Sequence, residues 1–390
     1  MNETTSSKPM YEKIFDEVKE SIVTQVYKLG ERVPSEKELA ETYKVSRITS
    51  KKALEMLAAE RLIVRKPGRG SFVADPSEDS PDQEMTGSTA GSSMINSKEK
   101  TIGLIITDFG NSYGTGLIYG MEQASRDNDS FLVLRRTFGI PENEEKSIQK
   151  LLNLGVDGLI ILPAQGEYFN AEILKLVIAR FPLVLVDRHL KGVAAASISS
   201  DNMKAALEGT EYLFDLGHTH ISFLSPPPVD TTAVEDRIEG FIQAHAERGI
   251  MVDKELWVSD LTSTLPKFFN PDNIEHDLER LVSHLKSHPS ITALFAIEYN
   301  IALLAKTAVE RLGLRIPEDI SIICFDSPPT DLGGGYSFTH MRQNEEEMGR
   351  IAVENVLNIM NGQPVPNKVL LDAHLVLGHS TGPVAPGKSL

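Results

Sequence analysis

Between Asp75 and Ser97 the chain runs for 23 residues through Ser, Gly, Pro, Thr and acidic side chains with almost no large apolar groups. Such a stretch cannot bury enough surface to order itself. The chain therefore cannot fold around one core. As a flexible coil the stretch has an r.m.s. reach of roughly 26 Å. The 390 residues suit two or three domains. The expected division is 1–74, a linker over 75–97, a larger unit over 98–380, and a short tail over 381–390.

Composition excludes several classes. A hydrophobic fraction of 41% is enough for packed cores, yet no window approaches eighteen consecutive apolar residues, so no membrane span is expected. Met1 to Lys8 is polar and lacks the apolar stretch of a secretory signal. Cys324 is the only cysteine and lies in the apolar run Ser321-Ile322-Ile323-Cys324-Phe325. A disulfide framework is excluded, and Cys324 reads as a small buried hydrophobe. Together these point to the cytoplasm.

Charge is distributed unevenly. The net charge is −16, but from Lys8 to Ala74 there are 14 Lys+Arg against 10 Asp+Glu. A mildly basic head on a strongly acidic body suits a nucleic-acid reader whose body keeps away from phosphate.

In the head, Tyr11, Ile14, Phe15, Val18, Ile22 and Val26 fall on one helical face. Ser35 before Glu36-Lys37-Glu38 reads as an N-cap opening a second helix. Ser46 caps a third, whose core face is Ala53, Leu54 and Leu57. Leu62-Ile63-Val64 and Ser71-Phe72-Val73 are short strands on either side of Pro67-Gly68-Arg69-Gly70, a wing.

Pro34-Ser35-Glu36, the run Val45 to Leu54 and Gly68-Arg69-Gly70-Ser71-Phe72-Val73 stand in the order and spacing of a winged helix-turn-helix. The run resembles the DNA-binding domain of the GntR family. The third helix would then enter the major groove, with Arg47, Thr49, Ser50 and Lys51 at its N-terminal end. Arg47 is the expected base reader, because a guanidinium bridges two acceptors on guanine. Lys51 and Lys52 are expected on phosphates. Ser35 and Glu36 open the second helix, whose amide end suits a phosphate. Gly68 and Gly70 let the wing approach the minor groove, with Arg69 reaching in. The alternative is a set of ordinary surface charges on a small helical domain.

From Lys98 onward, β-type runs at 102–106, 131–134, 158–162, 183–186, 221–224, 293–296 and 320–325 alternate with helical patterns. Repeated βα units mean parallel sheets covered by helices on both faces. About 280 residues suit two such lobes better than one.

Eight short motifs in this region resemble, in order, the sugar-sensing domain of the LacI/GalR family, which has the periplasmic-binding-protein fold. They include Asn111-Ser112-Tyr113, Gly120-Met121-Glu122, Val186-Asp187-Arg188, Ser200-Asp201-Asn202, Arg237-Ile238-Glu239-Gly240-Phe241 and Phe325-Asp326. A GntR head on such a body is the arrangement of the arabinose-repressor-like subgroup. The resemblance implies an effector cleft lined by Tyr113, Arg188, Asp201, Arg237 and Asp326. Carboxylates and guanidinium groups suit the paired hydroxyls of a sugar, and an aromatic suits its apolar face. Structural roles are the competing reading, since Asp187 and Asp201 also suit turn caps or partners for Arg188. One departure stands out. After the strand at 293–296 the family pattern has Asn-Asp, where this chain has Glu298-Tyr299. Glu298 would join the pocket and, beside Asp326, would repel a phosphorylated sugar. The hinge-helix signature expected before a LacI-type body is also missing.

The resulting expectation is a ligand-responsive regulator rather than an enzyme, with no cofactor and no metal. It would be a homodimer on an inverted-repeat operator in double-stranded DNA, and a repressor released by a small sugar such as L-arabinose, another pentose or a deoxyhexose. A regulator sensing a non-sugar metabolite, an activator, and a solute-binding transport protein are the alternatives. His218 and His220, two residues apart, match the turn before a strand in the family better than a metal site.

Overall fold

The computed structural model describes residues 9–24, 26–59, 62–66, 70–74, 99–164, 170–228, 231–265, 267–328 and 336–384. The expected linker and the wing tip at 67–69, Arg69 included, lie outside these. The chain divides into two compact units, at Ile95/Asn96, each described by itself below.

The first unit contains α1 (Met10–Val23), β1 (Arg32–Val33), α2 (Glu36–Thr42), α3 (Arg47–Ala59), β2 (Ile63–Lys66) and β3 (Gly70–Val73). The strands pair antiparallel in the order β1-β3-β2. Ile14, Phe15 and Val18 of α1 pack with Leu39, Ala53, Leu54 and Leu57 in one core. α1 ends at Val23, so Val26, expected on its apolar face, is 67% exposed. α2 starts at a capping box. Ser35 Oγ accepts from the Glu38 N–H at 3.3 Å, and Glu38 Oε2 accepts from the Ser35 N–H at 2.7 Å. Ser46 Oγ accepts from the Thr49 N–H at 3.2 Å and so caps α3 as expected.

The second unit has two lobes. The first is built from β4 (Lys100–Ile106), α4 (Thr115–Asp127), β5 (Ser130–Arg136), α5 (Pro141–Leu154), β6 (Gly158–Ile161), α6 (Ala171–Ile178), β7 (Leu183–Val186) and β8 (Ala196–Ser200). The chain then crosses over. It forms α7 (Asn202–Asp215), β9 (Ile221–Leu224), α8 (Thr232–Glu247), α9 (Pro271–Ser287), β10 (Ala293–Ala296), α10 (Tyr299–Arg311), β11 (Ser321–Phe325) and β12 (Thr339–Arg342). It recrosses with α11 (Glu345–Met360) and β13 (Lys368–Leu371), and returns with β14 (His374–Val376).

The first lobe's sheet is parallel throughout, in the order β13-β8-β7-β6-β4-β5. Its side chains sort by the two-residue period of a strand. Leu104, Ile106, Ile160, Val184 and Val186 join the core under α4 and α11. Ile105, Leu159, Ile161, Leu183 and Leu185 join the one under α5 and α6. The second lobe's sheet runs β14-β12-β11-β10-β9, with only the edge strand β14 antiparallel.

Two motif glycines serve packing. A Cβ on Gly120 of α4 would sit 2.0 Å from the Glu346 carbonyl oxygen of α11, and one on Gly240 of α8 would sit 2.0 Å from that of Met203 in α7. In each lobe a helix pair crosses at backbone contact, which only glycine permits. The C-terminal segment also departs from expectation. It is bonded into the second lobe as far as Val384, whose N–H donates to Leu216 O, while the Gly382 carbonyl meets His218 Nε2 at 2.9 Å. His218 Nδ1 meets Thr292 Oγ1 at 2.9 Å, so both ring nitrogens are engaged structurally.

Candidate effector cleft and nucleic-acid interface

In the first unit, Arg47 and Ile48 stand exposed at the start of α3, and Lys51, also exposed, is 3.8 Å from Glu55. Thr49 is half-buried, with its hydroxyl 2.9 Å from that of Ser46. Lys52 places its ammonium 3.9 Å from the centre of the Tyr11 ring while remaining exposed. Ser50 corrects the sequence expectation. It is 0% exposed, and its hydroxyl donates to the Glu36 carbonyl of α2 at 2.7 Å. It clamps two helices together and cannot face DNA. Ser35 likewise has its hydroxyl in the cap, and Glu36 is half-buried. Gly70 holds φ = 109°, beside the Arg32 side chain, a conformation closed to other residues.

In the second unit, polar groups collect at the carboxyl ends of the parallel strands, where open α/β sheets bind ligands. Asp187 follows β7 and Asp326 follows β11, at φ = 65° and 57°. Non-glycine residues in this left-handed region are strained and cluster at ligand sites. Tyr113 donates its hydroxyl to Asp187 Oδ1 at 2.6 Å. Arg188 lies beside Asp187, with Nε 3.6 Å from Oδ2. Arg237 of α8 donates from Nε to Asn202 Oδ1 at 2.8 Å and from Nη1 to the Ile297 carbonyl at 2.5 Å. Its guanidinium lies 3.6 Å from the centre of the Phe325 ring. Asp326 accepts from Gln343 Nε2 at 2.7 Å.

Electrostatics show that these groups share one space across the lobes. Burial pushes the Tyr113 hydroxyl well above its ordinary value, and Asp187 and Asp326 add to this from opposite lobes. Burial raises the Asp326 carboxyl to about 7, against the pull of Arg237. Burial also raises Glu298, which feels the guanidinium groups of Arg237 and Arg188. The same desolvation lowers Arg237, opposed by Asp326, Asp187, Tyr113 and Glu298.

Five of the six expected cleft residues therefore come together: Tyr113, Arg188, Arg237, Glu298 and Asp326. Asp201 does not join them. Its carboxylate accepts from the Lys204 N–H at 3.0 Å as the N-cap of α7. The next residue, Asn202, 2% exposed, holds Arg237 instead. The reason is local: an N-cap must turn its side chain back onto its own helix, which leaves the N1 side chain to point across. Sequence reasoning also missed Glu345, whose Oε2 accepts from the Gly114 N–H at 2.6 Å and so seats the start of α4.

Several buried polar atoms in this unit have no protein partner. They include the hydroxyls of Ser225, Thr231 and Ser263, whereas Glu298 shares a hydrogen bond with Thr264 and Arg188 Nε has only its ion pair with Asp187 at 3.6 Å. Ser225 follows β9, Glu298 is the N-cap of α10 just beyond β10, and Arg188 follows β7. Unpartnered atoms cost about 1–3 kcal/mol each unless something bonds to them. At the rim, Lys191 pairs with Glu235 at 2.5 Å, and Lys267 lies 3.7 Å from Glu142, so the lobes stand drawn together.

Residues 10–73 match the gntR family of bacterial regulatory proteins, and residues 210–381 match a periplasmic binding protein-like domain. Over 378 residues the chain is 26% identical to the arabinose metabolism transcriptional repressor of Geobacillus stearothermophilus, covering 96% of this chain and 98% of that protein. It is 30% identical over 260 residues to the HTH-type transcriptional repressor PurR of Vibrio vulnificus, covering 66% of this chain and 74% of that protein. In structure it resembles the transcription regulator CcpA of Lactococcus lactis, with a TM-score of 0.63 at 21% identity, over 73% of this chain and 100% of that one.

Proposed function

The chain belongs to the LacI-type ligand-responsive transcriptional regulators, here with a gntR-family DNA-binding head, and from that premise we propose that it represses sugar uptake or catabolic genes and leaves its operator when a small uncharged sugar binds. The observation that carries this reading is the set of polar groups from both lobes that interact across one buried space: the guanidinium groups of Arg188 and Arg237 with the carboxyl groups of Asp187, Glu298 and Asp326, and beside them buried hydroxyls such as that of Ser225 with no hydrogen-bond partner. Alternating donors and acceptors suit vicinal hydroxyls, which both donate and accept. The carboxylates Asp187, Glu298 and Asp326 disfavour a phosphate. The relative named for arabinose metabolism makes pentoses the first class to screen.

Because the site draws on both lobes, a sugar favours the closed arrangement, stapled at the rim by Lys191–Glu235. Release from DNA then requires that the closed body hold the head in a low-affinity geometry. Exposed Arg47 and Lys51 on α3, with Arg69 of the wing, are the proposed operator contacts. A homodimer supplies two heads for an inverted repeat. The edge strand β5, with Phe131 and Leu134 exposed on its opposite faces, offers an edge for it. The test is operator affinity at fixed salt, with and without each sugar that raises the melting temperature. Equal affinities with a sugar that binds would sink the reading.

A further inference from the structure

At the end of the second lobe away from the cleft, beside the start of β9, lies a cavity of about 160 Å³. Phe241 and His245 of α8, Ile221, Ile250, Met251 and Trp257 line it. Its walls are aromatic. The Phe241 and His245 ring centres are 4.4 Å apart, and Phe241 meets Trp257 edge-on at 5.8 Å. Polar side chains line it as well, Thr219, His220 and Asp253 among them, together with Trp257 and His245. Trp257 Nε1, a pure donor, is buried and has no protein partner. His245, 3% exposed, has Nδ1 at 2.8 Å from the Phe241 carbonyl, so Nδ1 carries the proton and Nε2 is left as an acceptor. Burial holds the ring below its ordinary range and hence neutral.

We propose that this cavity is a second ligand site, for a compact uncharged ring-bearing molecule with one hydrogen-bonding oxygen. A hydroxyl there accepts from the indole N–H and donates to His245 Nε2. Anions are disfavoured. The imidazole is neutral, and Asp253 at the margin repels anions while its carboxylate caps the Glu255 N–H. The site bears on the cleft because Arg237, Phe241 and His245 are spaced four apart on α8 and share one face of that helix. The inference stands on the cavity alone and does not need the cleft to bind sugar.

Trp257 is the only tryptophan in the chain, so its emission reads occupancy directly. The experiment titrates the full-length protein with phenol and, separately, with benzene. Saturable change is expected for both, with phenol tighter by about tenfold, equivalent to about 1.4 kcal/mol. His245→Phe keeps the wall and removes the acceptor but leaves the indole N–H, so phenol should lose part of its advantage over benzene. Ile250→Phe fills the space without touching either polar group, so both should cease to bind, and this variant carries the test if the first fails to fold. Absence of saturation, equal affinity for the two probes, or unchanged phenol binding in Ile250→Phe overturns the proposal.

Discussion

Arg237 Nε donates to Asn202 Oδ1 across 2.8 Å, and this bond ties α8 to the first crossover between the lobes. Asp326 and Gln343 repeat the arrangement at the second crossover, at 2.7 Å. At the third, the Leu371 carbonyl accepts from the Asp201 N–H at 2.8 Å and Asp372 pairs with Lys204 at 2.7 Å. Cleft residues thus grip two of the three strands of chain about which the lobes can move. A ligand that re-orients Arg237 or Asp326 acts on the hinge without an intermediary.

Asn202→Ala should separate this role from that of its neighbour. It leaves a buried guanidinium Nε unpartnered, so stability should fall by about 1–3 kcal/mol and the sugar response should weaken. Asp201→Ala removes only a helix cap, at a cost of about 1 kcal/mol, and should leave the sugar response intact. Denaturant melts with and without sugar compare the two.

Stability should carry a signature of Asp326. Its folded-state pKa, raised to about 7 by burial, lies above its unfolded value. Between these values the native state holds a proton that the unfolded state has released, so stability falls as pH rises through this range and levels off above about 7. Asp326→Asn should flatten that part of the profile. Denaturant midpoints from pH 4 to 8 make the comparison.

Arg47→Ala and Ser50→Ala should fail differently. The first removes an exposed guanidinium and should weaken operator binding by about 1–3 kcal/mol with relaxed sequence preference. The second removes a buried helix-to-helix bond and should cost about 1 kcal/mol of head stability, with sequence preference unchanged. Binding to an operator panel at fixed salt, alongside thermal melts, distinguishes them.

Gly120→Ala and Gly240→Ala should each destabilise the body by about 1–3 kcal/mol or more, because the added carbon lands on a backbone carbonyl 2.0 Å away. Melting of the body, read by circular dichroism, should drop for both, whereas Gly192→Ala meets nothing within 4 Å and pays only for its positive φ.

The sequence by itself determined what is local. The 23-residue polar stretch separates two foldable pieces. The unbroken apolar run from Ile102 to Ile106 specifies a strand buried on both faces. Ser35 with Glu38, and Ser46 before Arg47, specify where helices begin. These follow from propensity and periodicity within a few residues, so they can be read without neighbours. Tyr113, Arg188, Arg237, Glu298 and Asp326 could be named from family motifs, and the fold brings them near one another. Tertiary structure decided the rest. Asp201 and Asn202 are adjacent and both polar, and only the crossing of α7 and α8 decides which one meets Arg237. Ser50 stands among exposed charges in sequence, yet the approach of α2 buries it. Gln343 lies 17 residues from Asp326 along the chain, and Glu345 lies 231 from Gly114. Their roles depend on contacts between distant segments, which no local pattern encodes. The buried donors and acceptors that give the cleft its chemistry become recognisable only when folding has brought them together and removed water.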